Sequence, residues 1–342
     1  SSWSTKLIHG GLRYLENYEF KLVRESLKER EVIFHIAPNI TRPIPFIIPH
    51  SKEMRPAWLI KIGLFLYDFL AGKSVIPKSK SINLVKEFPN LLKKKFIKGF
   101  QYYDLQVDDK KLTQLNAQDA KKNSALILEN TKVNNVERFK DYWKIFLEND
   151  RVITAKVLVN ATGPWINEVI KDIIKIKSKK SIRLVKGSHI IIKKLYNQEV
   201  AFTLQNKDKR IIFVIPYKGK YSLIGTTEVE VNSPENPKIN EEEIKYLIKT
   251  ANNYFIKQIN SSDIVDTYAG IRPLIEDFKE ATKVTRDYIF DLNVHNQLSP
   301  LLNIYGGKLT TYRKLSDKVF EKLKPYLPSY TGKSWTNKKK LS

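Results

Sequence analysis

The sequence contains no cysteine. This absence excludes disulfide bonds, thiolate metal sites, iron–sulfur clusters and cysteine nucleophiles, and it suits a reducing compartment. The chain has 342 residues, of which 42% are hydrophobic and 11% aromatic, so it is long and apolar enough for two domains with sizeable cores. We therefore expect a folded globular protein whose chemistry uses groups other than thiols.

Acidic residues are few, because 36 Asp and Glu stand against 60 Lys and Arg and leave a formal net charge of +24. A surplus of this size attracts polyanions, which include nucleic acids, anionic membrane surfaces and phosphorylated metabolites. The chain is also rich in Ile and Asn, so drift toward AT-rich codons is an alternative source of the lysines. Charge by itself selects none of these partners.

Long hydrophobic runs are also absent. The most apolar stretch, residues 57–71 (AWLIKIGLFLYDFLA), is interrupted by Lys61 and Asp68 and is too short to span a bilayer. The start of the chain shows no signal peptide or other targeting sequence. We expect residues 57–71 to form an amphipathic helix on a soluble or surface-bound protein.

The remaining patterns predict a mixed α and β organisation. Helical spacing and capping residues predict helices over 19–35, 108–122, 241–255 and 308–323. Runs rich in β-formers predict strands over 125–133, 151–160, 181–231 and 264–305. Four prolines predict an irregular crossing before residue 57, and residues 73–99 form a lysine-rich connection. A β-rich middle flanked by βα segments indicates two interleaved domains.

The segment IYGGKLTTYRKL, residues 304–315, has the composition of an anion site. Gly306 and Gly307 leave backbone N–H groups uncovered where a helix begins, and the helix dipole attracts negative charge there. Lys308 adds a full positive charge at the same place. The alternative is a plain glycine turn that leads into a surface helix.

Two arginines, Arg272 in GIRPL and Arg286 in TRDY, lie in β-rich runs. A guanidinium binds a phosphate or carboxylate through paired hydrogen bonds, so two arginines on neighbouring strands suffice to hold one oxyanion while Lys308 closes the site. The alternative is that each arginine pairs with a nearby carboxylate.

His189, in VKGSHIII, is one of only five histidines, and its ring titrates near neutral pH, which suits proton transfer. A structural role inside a β segment is the alternative, and His9 beside Gly10 allows the same two interpretations. Thr226 follows Gly225 and offers a hydroxyl to a ligand, although threonine is an ordinary strand residue.

Taken in order, these motifs resemble the FAD-dependent, quinone-linked glycerol-3-phosphate dehydrogenases, which share the fold of the wider glycine-oxidase-like flavoproteins. The similarity runs from residue 4 to residue 315 through STKLIHGGLRYL, RPAWLIKIGLFLYD, NATGPW, RLVKGSHIII, NKDKRIIFVIPY, IGTTEVE, GIRPL, TRDY and GGKLTTYRKL. The resemblance implies an oxidoreductase that takes a hydride from C2 of sn-glycerol 3-phosphate to FAD, forms dihydroxyacetone phosphate and passes the electrons to membrane quinone. It also implies a mixed α/β fold in which an antiparallel β substrate domain is interleaved with the FAD-binding domain.

The resemblance also assigns roles to single residues, with no metal among them. The residues that would line the flavin are Ser4, Lys6, Leu7, Ala161, Thr162, Gly163, Gly306, Gly307, Lys308 and Leu309. The residues of the substrate pocket would be Arg13, Tyr14, His189, Thr226, Arg272, Arg286 and Lys308. We expect His189, Arg272 and Lys308 to be the catalytic residues, with His189 as the candidate base for the substrate hydroxyl.

The sequence departs from the family pattern at both ends. None of its 13 glycines stands in a G-x-G spacing, so the N-terminal βαβ unit that holds the ADP half of FAD is lacking, as is the helical domain that follows the GGK helix in the family. We therefore interpret the chain as a dehydrogenase truncated at both ends. The expected parts are an FAD-binding domain from residues 1–35, 100–180 and 300–325, an insertion at 36–99, a substrate domain at 181–299 and a basic tail at 326–342.

Three functions stay open at this point. The first is a flavin dehydrogenase on the inner face of the cytoplasmic membrane, with quinone, an anionic membrane surface and a second copy in a homodimer as partners. The second is a catalytically inactive remnant that does not hold FAD alone. The third is a basic membrane-surface or nucleic-acid-binding module, although no zinc-finger, helix-turn-helix or RNA-recognition pattern supports it and no nucleic acid is expected.

Overall fold

The computed structural model describes residues 3–276, 287–294, 298–328, 332 and 334–341. The chain divides into two compact units. The first unit consists of Ser1–Thr113, Lys186–Val229 and Asn236–Gly270. The second unit consists of Gln114–Val185, Glu230–Glu235 and Ile271–Ser342. Each unit thus collects segments that lie far apart in the sequence.

Helices and strands alternate irregularly along the chain. The helices are α1 (Phe20–Ile36), α2 (Ala57–Ala71), α3 (Leu84–Glu87), α4 (Asp109–Lys122), α5 (Ile166–Glu168), α6 (Glu241–Tyr254) and α7 (Tyr312–Leu323). The strands are β1 (Leu7–Ile8), β2 (Thr41–His50), β3 (Lys80–Asn83), β4 (Lys98–Val107), β5 (Val133–Arg138), β6 (Trp143–Leu147), β7 (Val152–Ala155), β8 (Leu158–Asn160), β9 (Ile182–Lys193), β10 (Ala201–Gln205), β11 (Ile211–Tyr217), β12 (Tyr221–Gly225), β13 (Val229–Val231), β14 (Ile264–Ile275), β15 (Tyr288–Asn293) and β16 (Leu301–Gly306). Over the described residues, none of the helices has the length and apolarity needed to cross a bilayer.

A large mixed sheet organises the first unit, with strand order β1-β4-β2-β10-β11-β12-β9 and β3 paired to β4. Residues that alternate along a strand point to opposite faces, so Phe46 and Ile47 in β2 enter different cores. One core includes Leu247 of α6, and the other includes Leu27 of α1 and Leu64 of α2. Full burial of one such side chain contributes about 1.5–3 kcal/mol. Helices therefore cover the sheet on both faces.

The sequence-based helix over residues 241–255 is confirmed as α6, and its start is well capped. The Asn240 side chain accepts from the backbone N–H of Glu243 at 2.9 Å, and the Glu243 carboxylate accepts from the N–H of Asn240 at 3.0 Å. This reciprocal capping box satisfies two N–H donors that a helix start otherwise leaves open.

Two three-stranded sheets form the second unit, with strand orders β5-β6-β7 and β15-β16-β8. β8 runs parallel to β16, and its end leads through Gly163 into α5 and a π-helical turn, Val169–Ile174. This order confirms the strand, glycine turn and helix start expected after residue 151. Trp143, Ile166 and Tyr305 are buried together at the core of the unit.

Two sequence-based expectations are wrong. Pro43, Pro45 and Pro49 were expected in an irregular crossing, but all three lie in β2, which pairs antiparallel with β4 along its whole length. Because they are spaced by even numbers of residues, their missing N–H donors all fall on one edge of the strand. Residues 125–132 were expected to be a strand, but the strand begins at Val133. Leu128 in that run packs on the core without a strand partner, while Leu126 is exposed.

Candidate functional site

Two glycine turns lie at one edge of a sheet in the second unit. β8 and β16 are parallel neighbours with Asn160 opposite Asn303, so their carboxyl ends meet at the same edge. The turn 161–163 follows β8, and Gly306 ends β16. Each turn leads into a helical segment, and ligands of open α/β sheets bind outside such carboxyl ends.

The backbone of these turns requires glycine. Gly306 has φ +75° and Gly307 has φ +100°, in the left-handed region that other residues rarely adopt. A Cβ on Gly306 would lie 2.8 Å from the backbone oxygen of Asp287. Gly163 has φ +59° and nothing within 4 Å of the position that its Cβ would occupy, so its backbone faces open space.

Side chains behind the turns hold them in place. The Thr162 hydroxyl donates to Asn160 Oδ1 at 2.7 Å, and Asn160 Nδ2 donates to Asn303 Oδ1 at 3.1 Å. Among the described residues, Asn303 Nδ2 and the Thr311 hydroxyl are buried and have no hydrogen-bond partner. This edge of the sheet therefore carries uncommitted polar groups, which a bound ligand or water satisfies in most proteins.

The turns fit the flavin end of FAD, the cofactor that the resemblance implies. The open backbone of Gly163 lets a planar ring approach closely, and the helical segment after Lys308 begins without a side-chain cap. A helix start also stabilises the negative charge that a flavin acquires on reduction. For the ADP half of FAD the sequence offers no G-x-G-x-x-G turn.

In the first unit, Asp109 anchors the loop that carries Ser4 and Lys6. The Ser4 hydroxyl donates to Asp109 Oδ2 at 2.6 Å, and Lys6 Nζ donates to Asp109 Oδ1 at 2.9 Å. Lys6 has φ +60°, so this loop is held in a left-handed turn. Leu7 follows in β1 and is buried. The ion pair and the hydrogen bond from Ser4 therefore fix the segment that carries Ser4, Lys6 and Leu7, which the resemblance assigns to the flavin site.

His189 is buried in the first unit, where only 1% of its surface is exposed. Its Nε2 lies 3.1 Å from the Thr5 hydroxyl, a contact in which either atom can be the donor. The Tyr268 ring stacks on the imidazole with centroids 4.6 Å apart. A Cβ on Gly225 would lie 2.1 Å from the imidazole Cδ2, so the ring packs directly over the backbone of β12. The imidazole is thus held on several sides, as a positioned base requires.

Tyr268 links the imidazole to the Ser4 loop. Its hydroxyl donates to the Ser4 backbone oxygen at 2.8 Å. Burial raises the pKa of Tyr268 well above its usual range, and the nearby charges of Asp109 and Tyr217 raise it further. The phenol therefore stays protonated and remains a donor at every physiological pH.

Gly10 and Gly11 introduce the helical turn Leu12–Asn17 that carries Arg13 and Tyr14. The Gly10 N–H donates to the Tyr67 hydroxyl at 2.8 Å and to Asp104 Oδ1 at 3.3 Å. A Cβ on Gly10 would lie 2.5 Å from the Leu27 side chain, so only glycine fits this close approach. The close packing of Gly10 against the buried core thus fixes the position of this turn.

The structure divides the expected site residues between its two units. The first unit holds Ser4, Lys6, Leu7, Arg13, Tyr14, His189 and Thr226. The second unit holds Ala161, Thr162, Gly163, Arg272, Gly306, Gly307, Lys308 and Leu309. Arg286 lies outside the described residues. In the described part of the chain, no group of His, Asp and Glu side chains is arranged to hold a metal ion.

Three residues that contact the expected site were missed from the sequence. Thr5 lies inside the quoted motif STKLIHGGLRYL, and Tyr268 lies two residues before GIRPL, so these motifs were a signal for both residues. Asp109 had no such signal, because it opens α4 and lies 105 residues from Ser4 in the sequence. Only the fold brings that carboxylate to the loop.

The sequence model of the family described as FAD dependent oxidoreductase matches residues 1–307. The chain therefore belongs to this family. Its mixed α/β fold agrees with a glycerol-3-phosphate dehydrogenase from Bacillus halodurans complexed with FAD, at a TM-score of 0.73, 24% identity and coverage of 98% of this chain and 59% of that one. A glycine oxidase from Bacillus cereus matches at a TM-score of 0.62, 14% identity and coverage of 99% and 87%. The expected glycine-oxidase-like fold is confirmed.

Within the family, the relatives are dehydrogenases of phosphorylated polyols. A glycerol-3-phosphate dehydrogenase of Pseudomonas aeruginosa is 45% identical over all of this chain and 67% of its own length. A D-erythritol 1-phosphate dehydrogenase of Brucella abortus is 43% identical over 98% of this chain and 68% of its own length. The chain thus spans about two thirds of these relatives. The predicted family, the oxidoreductase class and FAD as the family's cofactor are confirmed.

Proposed function

We propose that this chain contributes the substrate-binding and flavin-facing residues of an enzyme that oxidises sn-glycerol 3-phosphate to dihydroxyacetone phosphate, with FAD as cofactor and membrane quinone as electron acceptor. The observation that carries the proposal is the similarity to a glycerol-3-phosphate dehydrogenase at 45% identity over the whole chain. The buried, doubly contacted His189 supports it, because oxidation of an alcohol requires a group that takes the hydroxyl proton.

The proposed mechanism divides binding and proton transfer among this chain's own residues. Bound FAD would supply the acceptor for the hydride of C2 of the substrate. Gly163 would give the flavin close access to the backbone, and Gly306 and Gly307 would line it. His189 takes the proton of the C2 hydroxyl as the carbonyl forms, and Thr5 and Tyr268 keep the imidazole in place while it does so.

Cationic residues are proposed to bind the substrate phosphate. Arg272, Lys308 and Arg13 belong to motifs that the resemblance assigns to the pocket, and guanidinium groups match phosphate oxygens in pairs. Arg272→Ala should weaken the binding of sn-glycerol 3-phosphate by about 1.5–3 kcal/mol, the range for a charged hydrogen bond. Titration calorimetry measures this loss, and Arg151→Ala, which removes an exposed arginine, is the control. Equal affinity in wild type and Arg272→Ala would contradict the assignment.

D-Erythritol 1-phosphate is the second candidate substrate. The relative of that name is 43% identical over 98% of the chain, almost as similar as the glycerol-3-phosphate dehydrogenase. The two substrates share a phosphate and a secondary alcohol but differ in chain length, so a pocket discriminates between them through few contacts. Both substrates therefore belong in the same assay.

The face of α2 that points away from the core is proposed to dock on an anionic membrane. Trp58, Phe65 and Phe69 lie along one stripe of this helix and are 63%, 68% and 72% exposed. The helix has 15 residues and is about 22 Å long, which is too short to cross the core of a bilayer and suits a position in its interface. Lys61 and Lys73 are exposed on and just after it, which complements anionic lipid headgroups.

Membrane docking would bring the enzyme to its quinone. A quinone-reducing enzyme has to reach the bilayer, so we propose a peripheral location on the inner face of the cytoplasmic membrane. A homodimer that covers the same apolar face is the competing occupant, and size-exclusion chromatography with light scattering at several protein concentrations separates the two. A dimer that no longer binds vesicles would overturn the membrane proposal.

The first test of the catalytic proposal is a visible spectrum. The purified chain is mixed with FAD, passed over a gel-filtration column and measured before and after anaerobic addition of each phosphorylated polyol. Retained flavin bands that bleach with one substrate support the dehydrogenase and identify that substrate. A colourless protein would indicate that this chain alone does not hold FAD, which is the expectation for an inactive remnant.

A further inference from the structure

A buried carboxylate lies behind the strand pair that carries His189 and Thr226. Glu243, in the first turn of α6, is only 4% exposed. Its Oε1 accepts a hydrogen bond from the Ser188 hydroxyl at 2.7 Å and another from the Thr227 hydroxyl at 2.5 Å. Ser188 directly precedes His189, and Thr227 directly follows Thr226. One carboxylate oxygen therefore binds the chain neighbours of both residues.

The second carboxylate oxygen is also fully engaged. Oε2 lies 2.8 Å from the Nζ of Lys186 and accepts from the backbone N–H of Asn240 at 3.0 Å. Burial acts to raise the pKa of Glu243, but hydrogen bonds from Lys186, the two hydroxyls and the Asn240 N–H outweigh it and hold the pKa below its ordinary value. Glu243 is thus an anion whose partners all come from elements around His189.

The capping role of Glu243 accounts for only part of this arrangement. A capping box needs one carboxylate oxygen, here Oε2, to accept from the N-cap N–H, while the other oxygen usually faces water. In this protein Oε1 is directed inward to Ser188 and Thr227. The Ser188 N–H also donates to the Thr227 hydroxyl at 2.9 Å, which closes a ring of hydrogen bonds between β9 and the turn that follows β12.

This network of hydrogen bonds lies next to the backbone that carries the imidazole. Gly225 lies opposite His189 in the β12–β9 register, and the imidazole packs over the Gly225 backbone. A shift of Thr227 relative to Ser188 would therefore move the Gly225 backbone beneath the imidazole, and the imidazole would move with it. Misplacement of a catalytic group by about 1 Å is enough to slow a reaction by orders of magnitude.

We propose that Glu243 is a positioning residue for the dehydrogenase reaction, which sets the imidazole of His189 and the hydroxyl of Thr226 through Ser188 and Thr227. The proposal rests on the function proposed above. It assigns Glu243 no contact with substrate or flavin.

The kinetic test compares two variants of the FAD-loaded protein. Glu243→Gln keeps the shape of the side chain but removes its charge, and Thr227→Val removes only the hydroxyl. Both are expected to lower kcat for sn-glycerol 3-phosphate by about tenfold or more while KM changes by less than about threefold. Thr227→Ser restores the hydroxyl and should recover most of the rate.

Two matched controls separate positioning from loss of stability. Glu242→Gln removes an exposed carboxylate from the same turn of α6. Ser222→Ala removes a buried hydroxyl from β12 that accepts from the Leu195 N–H, outside the Glu243 network. Both controls should keep a kcat close to that of the wild type, even where Ser222→Ala lowers the melting temperature.

A spectroscopic readout tests the proposal without turnover. The five histidines are labelled with ¹⁵N, and His189→Gln identifies the resonances of His189. Glu243→Gln and Thr227→Val should shift the His189 ring signals, while the controls should leave them in place. If the wild type oxidises neither polyol phosphate, the proposed function fails and this readout alone decides the positioning.

Each outcome of these experiments either supports the proposal or overturns it. A lowered kcat with shifted His189 resonances in both variants supports the proposal. Unmoved His189 resonances overturn it, and a lowered rate that follows the melting temperature alone would show a structural role. A wild-type kcat in Thr227→Val would also overturn it, because the hydroxyl is the link between Glu243 and the Thr226 turn.

Discussion

At the scale of single residues, the glycine turn after β16 combines two constraints that a substitution can separate. Gly306 needs a left-handed backbone at φ +75°, and it also needs the space next to the backbone oxygen of Asp287. Gly219 has a similar φ of +69°, but nothing lies within 4 Å of the position of its Cβ. Gly306 thus carries a steric requirement that Gly219 lacks.

Gly306→Ala should therefore cost more stability than Gly219→Ala. The left-handed backbone alone costs about 1–2 kcal/mol for a residue with a Cβ, and the 2.8 Å contact at Gly306 adds to it. Urea unfolding followed by circular dichroism measures both variants. Gly306→Ala should also retain less FAD after gel filtration than Gly219→Ala. Equal stability and equal FAD retention in the two variants would contradict the close packing of the turn.

At the scale of elements, a buried network joins α1, α2 and β4 beneath the Gly10 loop. Arg30 donates to Asp104 Oδ1 at 2.9 Å, and the Tyr67 hydroxyl donates to the same carboxylate at 2.8 Å. Burial raises the pKa of Asp104 above its ordinary value, and the positive charge of Arg30 opposes that rise. The pair is 3% and 2% exposed, so neither charge has access to bulk water.

Asp104→Ala should destabilise the protein by about 3–5 kcal/mol, because Arg30 loses its buried counter-charge and keeps only the more exposed carboxylate of Glu31. The matched control is Glu199→Ala, which breaks surface ion pairs with Arg42 and Lys194 and should cost less than about 1 kcal/mol. Guanidinium chloride unfolding measures both changes. The double variant Arg30→Met with Asp104→Leu should recover much of the loss, and its failure to do so would show that packing and not charge governs this site.

The exposed face of α2 gives a second prediction at this scale. Phe65→Ser with Phe69→Ser should abolish binding to anionic vesicles, because these stacked rings carry much of the apolar area of the face. The control pair is Phe139→Ser with Tyr142→Ser, which removes another stacked and exposed aromatic pair. Vesicle co-sedimentation measures the binding. A control that loses binding as fully as the α2 variant would point to general surface hydrophobicity.

At the scale of the whole molecule, acid should weaken the fold. Burial acts to raise the pKa of both Glu243 and Asp208, but hydrogen bonds from Lys186 to Glu243 and from Arg210 to Asp208 hold both pKa values below their ordinary 4.5 and 3.8. Carboxyls with a lowered folded-state pKa contribute stability that is complete above those ordinary values and is lost as pH falls through the folded-state values. Asp104 has the opposite effect on the pH dependence of stability, because burial raises its pKa.

The melting temperature of the wild type should therefore exceed that of Glu243→Gln at pH 7, and the difference should narrow below pH of about 4. Differential scanning calorimetry at pH 7, 5, 4 and 3 measures this trend, with Glu242→Gln as the charge control. A difference that stays constant from pH 7 to pH 3 would show that Glu243 is not a stabilised anion in the folded protein.

Much of the local structure follows from sequence patterns. The apolar run 57–71 became α2 with both ends as expected, and Asn240 with Glu243 began α6 as their spacing indicated. These predictions succeeded because a helix buries one face and needs its first N–H groups satisfied, and both requirements are local. The prolines of β2 predicted an irregular segment wrongly, because a ten-residue pairing with β4 outweighs their local preference.

The sequence by itself determined the family, the cofactor and the residue types of the candidate site, since glycine turns, guanidinium groups and an imidazole are recognisable in order along the chain. The tertiary structure decided which groups support them. Asp109 reaches Ser4 and Lys6 across more than 100 residues, and Glu243 reaches Ser188 from another element. Such contacts are absent from local patterns, because a buried charge is tolerated wherever the fold supplies its partners, at any separation in the sequence.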